Sequence, residues 1–359
     1  MVDRGVSQQS LLLNSGYRIP QLGFGTFDVI RPAFIDCELS AAKEVVTNAV
    51  ELALSAGYRH VDCAMIYDNE AEIGKGLVAA MRNLKLERED IFVTSKLWCD
   101  NHAPEDVHKA CELSVKRLGL EYLDLYLVHF PASFRSKEDK LFDPFDSNSV
   151  VFEYHRLEDT WKAMEELVST GLVKSIGVSN FNKRQMERIL ASCTIPPAVN
   201  QVEVNINWLN TKLIEFCHSR NIVVEGYSPL GSPGFLSRSM YVDTTDLHNV
   251  CASGVKWYHL HDSCRGKMKS LLEEEAVFEI ALKHRKTPAQ VLLRHGLQRG
   301  IVVLVKSVTP ERIKTNFDVF DFELTDEEVD RLNKAGSNER LVVVPALKGH
   351  PDYPFDDEF

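Results

Sequence analysis

The chain has 359 residues, 44% hydrophobic and 26% charged. That is enough apolar material for one large α/β core or two smaller ones. Its formal charge of −11, with no basic run, argues against nucleic acid or an anionic membrane as partner. No apolar run is long enough to cross a membrane, and the first ten residues lack the apolar centre of a signal peptide. The eight cysteines, at 37, 63, 99, 111, 193, 217, 251 and 264, form no CxxC pair. They predict free thiols in a reducing compartment, the cytoplasm.

Two short apolar runs, 10–13 and 17–20, flank Asn14-Ser15-Gly16 and predict a β-hairpin. The stretch Leu22-Gly23-Phe24-Gly25-Thr26-Phe27 has two glycines but no third, and no strand–turn–helix context. It reads as a loop passing close to something buried rather than a dinucleotide fingerprint. Residues 34–57 carry Val45, Ala49, Leu52, Ala53 and Ala56 at helical spacing, with Gly57 as the stop. Strand and helix then alternate. Strands are predicted over 58–62, 91–97 and 123–129, the last apolar enough to be buried on both faces. Helices are predicted over 70–81 and 104–118, with Pro104 in the first turn. A polar loop over 132–156 precedes a helix over 157–170. Strands over 173–179, 199–204, 223–227 and 301–306 alternate with helices over 183–193, 210–220 and 288–297. A helix starts at Pro310, a brief last strand covers 320–322, and a last helix over 326–334 takes Thr325 as its N-cap.

About eight alternations without a composition break predict an α/β fold, a (β/α)8 barrel forming one domain over 1–359. A doubly wound sheet is the competing architecture; the opening hairpin and the missing glycine fingerprint weigh against it. Two segments exceed a minimal barrel, the loop 132–156 and a longer loop 231–269, both expected at the C-terminal face. The tail 336–359 carries Pro345, Pro351 and Pro354 and cannot be one helix.

Four residues at or just past strand ends form a coherent proton-donor set: Asp62, Tyr67, Lys96 and His129. A phenol is a poor acid near neutrality, with a pKa of about 10. A neighbouring ammonium lowers that value, so Lys96, held by Asp62, is expected to tune Tyr67. A neutral His129 would orient a substrate carbonyl. Each residue alone has an ordinary structural reading: a satisfied core tyrosine or histidine, or a structural ion pair. Four at successive strand ends favour the site.

The segment Asp62-Cys63-Ala64-Met65-Ile66-Tyr67-Asp68-Asn69-Glu70 resembles the signature of the aldo-keto reductases. Gly177-Val178-Ser179-Asn180-Phe181, Asn200-Gln201-Val202-Glu203 and Tyr227-Ser228-Pro229-Leu230-Gly231 are similar to later blocks of that family, in the same order. Lys306-Ser307-Val308-Thr309-Pro310-Glu311-Arg312-Ile313 resembles its cofactor block, and His350-Pro351-Asp352-Tyr353-Pro354-Phe355 its C-terminal end. The resemblance implies a (β/α)8 barrel, NADPH-dependent carbonyl reduction without a metal, and a monomer. It assigns Tyr67 as the acid, with Asp62, Lys96 and His129 as partners.

Read physically, Ser179, Asn180 and Gln201 are short polar groups suited to a carboxamide, and Tyr227 is an aromatic able to stack on a nicotinamide ring. Ser228, Leu230 and Ser232 surround Gly231 in a turn suited to a pyrophosphate. Lys306, Ser307 and Arg312 lie beside a helix start and suit a phosphate monoester. Asn316, one turn on, can read adenine. The resemblance carries these positions, with Thr26, into binding NADPH/NADP+, and makes the basic cluster a clamp for the 2′-phosphate.

Phe27 and Phe130 stand where many relatives of that type carry Trp, while Trp98 is kept. With His129 they form the expected substrate pocket, apolar enough for an aldehyde with an apolar body. Val305 replaces a usual Pro, Thr315 stands where an acid is common, and Leu341 to Val344 lack the usual aromatic. Two other readings stay open: a cofactor-binding redox sensor or subunit with little turnover, and a metal-dependent barrel hydrolase. His248, Cys251, His259, His261 and Cys264 in the loop 231–269 match no standard zinc spacing.

Overall fold

The computed structural model describes residues 9–27, 36–137, 142, 146–232, 270–357 and 359. The loop 233–269, with its histidines and cysteines, lies outside the described residues. The strands are β1 (Ser10–Leu12), β2 (Arg18–Pro20), β3 (Leu22–Gly25), β4 (His60–Asp62), β5 (Phe92–Leu97), β6 (Leu123–Val128), β7 (Phe134–Ser136), β8 (Val150–Phe152), β9 (Val173–Ser179), β10 (Val199–Glu203), β11 (Val223–Tyr227) and β12 (Val302–Val305). The α-helices are α1 (Asp36–Ala56), α2 (Glu70–Leu84), α3 (Pro104–Leu118), α4 (Leu157–Ser169), α5 (Lys183–Ser192), α6 (Thr211–His218), α7 (Glu275–His284), α8 (Pro288–Gln298), α9 (Pro310–Phe317) and α10 (Asp326–Ala335).

Eight strands close into a parallel barrel in the order β3-β4-β5-β6-β9-β10-β11-β12, with β12 pairing back onto β3. The predicted (β/α)8 architecture is thus present, but one strand differs from the reading. Residues 22–25, read as a loop, are barrel strand β3, while 320–322 form no strand. The glycines that made the first stretch look irregular have a packing reason. A Cβ at Gly23 would lie 2.5 Å from Leu304 Cδ2 and 2.7 Å from His60 Nδ1. The strand can therefore fill its place between β12 and β4 only without a side chain there. With that place taken, 320–322 has no ladder to join, and Phe320 packs beside Phe317 instead.

The barrel strands are nearly all buried, β5 and β6 at every position, because helices cover their outer faces. In α2, Ile73, Leu77 and Ala80 recur at helical spacing and sit inside. Helix α7 was not apparent from the pattern. Its buried face, Ala276, Val277, Ile280 and Ala281, is interrupted by Phe278 and Leu282, which are exposed and blur the period.

The predicted hairpin is formed, antiparallel, with Gly16 in the left-handed region at φ 87°. It plugs the N-terminal end of the barrel: Leu13 and Ile19 pack with Phe92, Leu125, Leu127 and Val199. Despite its polarity, the loop 132–156 contains strands among its described residues. It holds the antiparallel pair β7–β8, anchored by buried Phe134 and Val150. Thr325 caps α10 by accepting from Glu328 N, as expected. Among the described residues of the tail, only a single 3-10 turn, Pro345–Leu347, is helical.

Candidate active site

The barrel register gathers the sequence-nominated residues at one end. Gly25 pairs with Asp62 and Asp62 with Thr94; Lys96 pairs with Leu127, and His129 N donates to Leu97 O. Across the barrel Ser179 pairs with Gln201, Gln201 with Glu225, and Glu203 with Tyr227. Thr26, Asp62, Lys96, His129, Ser179, Gln201, Tyr227 and Lys306 therefore stand at or just past the C-terminal ends of eight different strands. In this fold that is the face where chemistry is built.

Tyr67 sits in a 3-10 turn, Met65–Tyr67, ended by Asp68 in the left-handed region at φ 52°. Asn69 ties the turn down by donating to Thr26 O at 2.9 Å, and Thr26 donates to Asp62 O at 2.7 Å. Beneath the turn lies Lys96, fully buried. Its ammonium donates to both oxygens of Asp62 and to Cys63 O, each at 2.7 Å, and lies 5.2 Å from the Tyr67 ring centre. Burial pulls the Lys96 ammonium down, but Asp62 and Tyr67 outweigh it, and the net shift is upward. Lys96 is therefore charged.

The effect on Tyr67 differs from the expectation. Lys96 does favour the phenolate, but burial acts more strongly in the opposite direction, and the phenol is pushed up to about 12. Asp62 adds to the rise. Lys96 thus limits an upward shift rather than producing a downward one. His129 is held well below its usual range by burial and then by Lys96, so its ring is neutral, as anticipated. Its ring centre is 5.9 Å from that of Tyr67 and 5.1 Å from that of Trp98. Among the described residues, buried His129 Nδ1 has no hydrogen-bond partner.

The Ser179, Asn180, Gln201 group is already internally bonded. Ser179 Oγ donates to Gln201 O at 2.9 Å. Asn180, at φ 63°, donates from Nδ2 to His129 O and to Ser179 Oγ, and its Oδ1 accepts from Tyr227 O–H at 2.7 Å. Gln201 Nε2 donates to Asp62 Oδ1 at 2.8 Å and to Glu225 Oε2 at 2.6 Å. Ser228, Gly231 and Ser232 all adopt positive φ, and the two serine hydroxyls bond each other at 2.9 Å. Leu230 packs beside this turn against the core. Lys306 and Arg312 are exposed, Ser307 is half-buried and Asn316 is buried, all on one strand–turn–helix segment. A Cβ at Gly25 would lie 3.6 Å from Lys306 Cβ, so this segment borders Thr26.

Trp98 and Phe130 are buried, whereas Phe27 is 49% exposed and packs on Tyr67 with ring centres 5.0 Å apart. Sequence reasoning missed the rest of the aromatic wall. Phe134 and Phe142 stand 5.7 and 5.4 Å from Trp98, and Phe355 stands 6.1 Å from Phe130. The tail thus supplies an aromatic from Phe355 although 341–344 has none. Glu225 was missed as well. Its signal was a lone acid within the otherwise uncharged strand 223–227.

A model of the Aldo/keto reductase family matches residues 21–337. Aldo-keto reductase family 1 member A1 of Gallus gallus is 42% identical over 357 residues, 97% of each chain. Aldo-keto reductase family 1 member C1 of Homo sapiens is 40% identical over 354 residues, 98% of each. Among solved structures, the aldose reductase of Schistosoma japonicum matches with a TM-score of 0.79 and 43% identity, covering 98% of this chain and 100% of that one. The aldo-keto reductase of Bombyx mori in complex with NADP matches with a TM-score of 0.79 and 34% identity, covering 97% and 99%. With a family match over most of its length and relatives at this identity over nearly all of it, the chain belongs to the aldo/keto reductase family.

Proposed function

We propose that the protein reduces aldehydes or ketones to alcohols with NADPH, and that Tyr67 is the general acid. The observation that carries this reading is the fully buried Lys96–Asp62 pair beneath Tyr67, next to a neutral His129, at the C-terminal mouth of the barrel. The residues present fit the cofactor by the chemistry of their donors and acceptors. Gln201, with both amide hydrogens committed, leaves Oε1 to accept from a carboxamide. Ser179 and Asn180 complete that group, and Tyr227 offers its ring. The turn of Ser228, Leu230 and Ser232, in which Ser228, Gly231 and Ser232 have positive φ, suits a pyrophosphate. Lys306, Ser307 and Arg312 suit a 2′-phosphate, and Asn316 adenine.

When bound, NADPH supplies a hydride to the carbonyl carbon. The chain's residues handle the proton. His129 donates a hydrogen bond that orients the carbonyl oxygen, and Tyr67 O–H gives that oxygen its proton. The phenolate left behind faces the Lys96 ammonium, which Asp62 holds in place, and Gln201 in turn holds Asp62. A pocket walled by Phe27, Trp98, Phe130, Phe134 and Phe355 favours an apolar aldehyde body and excludes water from the proton transfer.

The Bombyx relative's complex with NADP supports the choice of cofactor. The test follows NADPH absorbance with an aromatic aldehyde, using wild type and Tyr67→Phe, with NADH in parallel. Aldehyde-dependent oxidation that is lost in Tyr67→Phe and weak with NADH is the expected result. Unchanged turnover in Tyr67→Phe would remove Tyr67 from the acid role.

A further inference from the structure

Glu225 is fully buried inside the barrel and has no part in the reaction proposed above. Its Oε2 accepts from Gln201 Nε2 at 2.6 Å, and the same nitrogen donates to Asp62 Oδ1 at 2.8 Å. Gln201 therefore bridges two acids and has no hydrogen left to give. Among the described residues Glu225 Oε1 is buried without a hydrogen-bond partner, and His60 Nε2 lies 3.4 Å from it.

We propose that Glu225 is a positioning residue: it holds the Gln201 amide in one of its two orientations, so that only Gln201 Oε1 is presented to the carboxamide of a bound nicotinamide. This rests on the NADP(H) reading above. The terminal torsion of a glutamine is broad and roughly two-fold, so packing alone sets its amide weakly. With two acids at its nitrogen, flipping the amide forfeits two hydrogen bonds and sets an oxygen against Asp62 and Glu225 together. With Asp62 alone, one hydrogen is unclaimed and the amide can swing away from its acceptor position.

The surroundings keep Glu225 an acceptor toward Gln201. Burial, and then the negative charge of Asp62, push its carboxyl up to about 8, so it carries a proton at neutral pH. The titratable and charged groups facing it are Asp62 and His60 on β4 and Lys96 on β5. His60, lowered to about 3 chiefly by burial, is neutral. With Oε2 occupied by Gln201, the proton falls on Oε1, toward His60 Nε2.

The test measures binding, read by tryptophan fluorescence, of NADP+ and of its 3-acetylpyridine analogue, which keeps the carbonyl but lacks the carboxamide NH2. Wild type is expected to prefer NADP+ by about tenfold, one hydrogen bond's worth. Glu225→Leu is expected to cut that preference to about twofold by weakening NADP+ and not the analogue. Glu225→Gln, whose carbonyl can still accept from Gln201, is expected to keep it. An unchanged preference in Glu225→Leu, or its loss in Glu225→Gln, overturns the inference. If Glu225→Leu does not fold, Glu225→Gln still tests the inference, because loss of the preference there overturns it. A wild type that binds NADP+ without discriminating against the analogue overturns this inference only. A wild type that binds neither overturns the cofactor reading as well.

Discussion

Glu203, at the end of β10, is fully buried and holds the C-terminal tail to the barrel. Its two oxygens accept from Leu341 N at 2.9 Å and Val342 N at 2.8 Å, and Oε1 also accepts from Asn205 Nδ2. Glu203→Gln keeps the volume but turns one acceptor into a donor facing a backbone N–H. One hydrogen bond is lost and one buried donor is left unmatched, a cost of about 2–3 kcal/mol. At 1.4 kcal/mol per decade, that loosens tail docking roughly 30- to 150-fold. Hydrogen exchange followed by mass spectrometry reads this directly. Amides of Leu341 and Val342 should exchange faster by about that factor, while β5 and β6 stay as protected as in wild type. The tail also packs Val344, Leu347, Tyr353 and Phe355 against Trp98, Phe130 and Phe134. The KM for an aldehyde should therefore rise while NADP+ binding holds. Tail amides exchanging within threefold of wild type would refute the claim that Glu203 is the anchor.

Three further predictions test other parts of the site. Lys96→Met strands Asp62 without its cation and should cost about 3–5 kcal/mol of stability, seen as a lower urea midpoint; no loss would mean the pair is not held as described. Lys306→Met combined with Arg312→Ala should raise KM for NADPH roughly 10- to 100-fold while moving that for NADH little, and equal effects would remove the 2′-phosphate clamp. Glu225 titrates higher folded than unfolded, so the folded state keeps a proton that the unfolded chain has lost. Its stabilising contribution is present below the ordinary Glu pKa of about 4.3 and is lost as pH rises toward about 8. Relative to Glu225→Gln, wild type should therefore lose on the order of a few kcal/mol between roughly pH 5 and pH 8. Urea titrations of both proteins at the two ends check the sign, and parallel pH profiles would contradict it.

What the sequence showed and hid follows from the physics of each element. Strands such as 173–179 and 223–227 are rich in valine and isoleucine or tyrosine, end at polar turns and coincide with the structure. The Asp62, Tyr67, Lys96 and His129 set was legible because each residue stands at or just past a strand end, where an ionisable group has no simple packing role. Strand β3 was illegible because its glycines, which look like loop residues, are required by side chains from β12 and β4 that approach it in space. The pair β7–β8 was hidden by its short strands within a polar stretch. The bridging of Asp62 and Glu225 by Gln201 joins positions 139 and 24 residues apart, a distance no local pattern reports.

The depression expected for Tyr67 failed for a related reason: a pairwise view counts the ammonium and omits the burial that comes with it. Lys96 reaches Tyr67 only from inside the barrel, so the packing that brings the charge near also removes the water that would stabilise a phenolate. Asp62 is needed to keep a buried Lys96 ionised, yet its own charge raises Tyr67 further. The number of negative charges near the pair is therefore critical. One carboxylate balances the ammonium, and a second would push Tyr67 higher still. Glu225, one amide away from Asp62, would be that second charge if it were ionised. Burial and the charge of Asp62 raise the Glu225 carboxyl, which disfavours a second negative charge on the opposite side of Gln201 from Asp62.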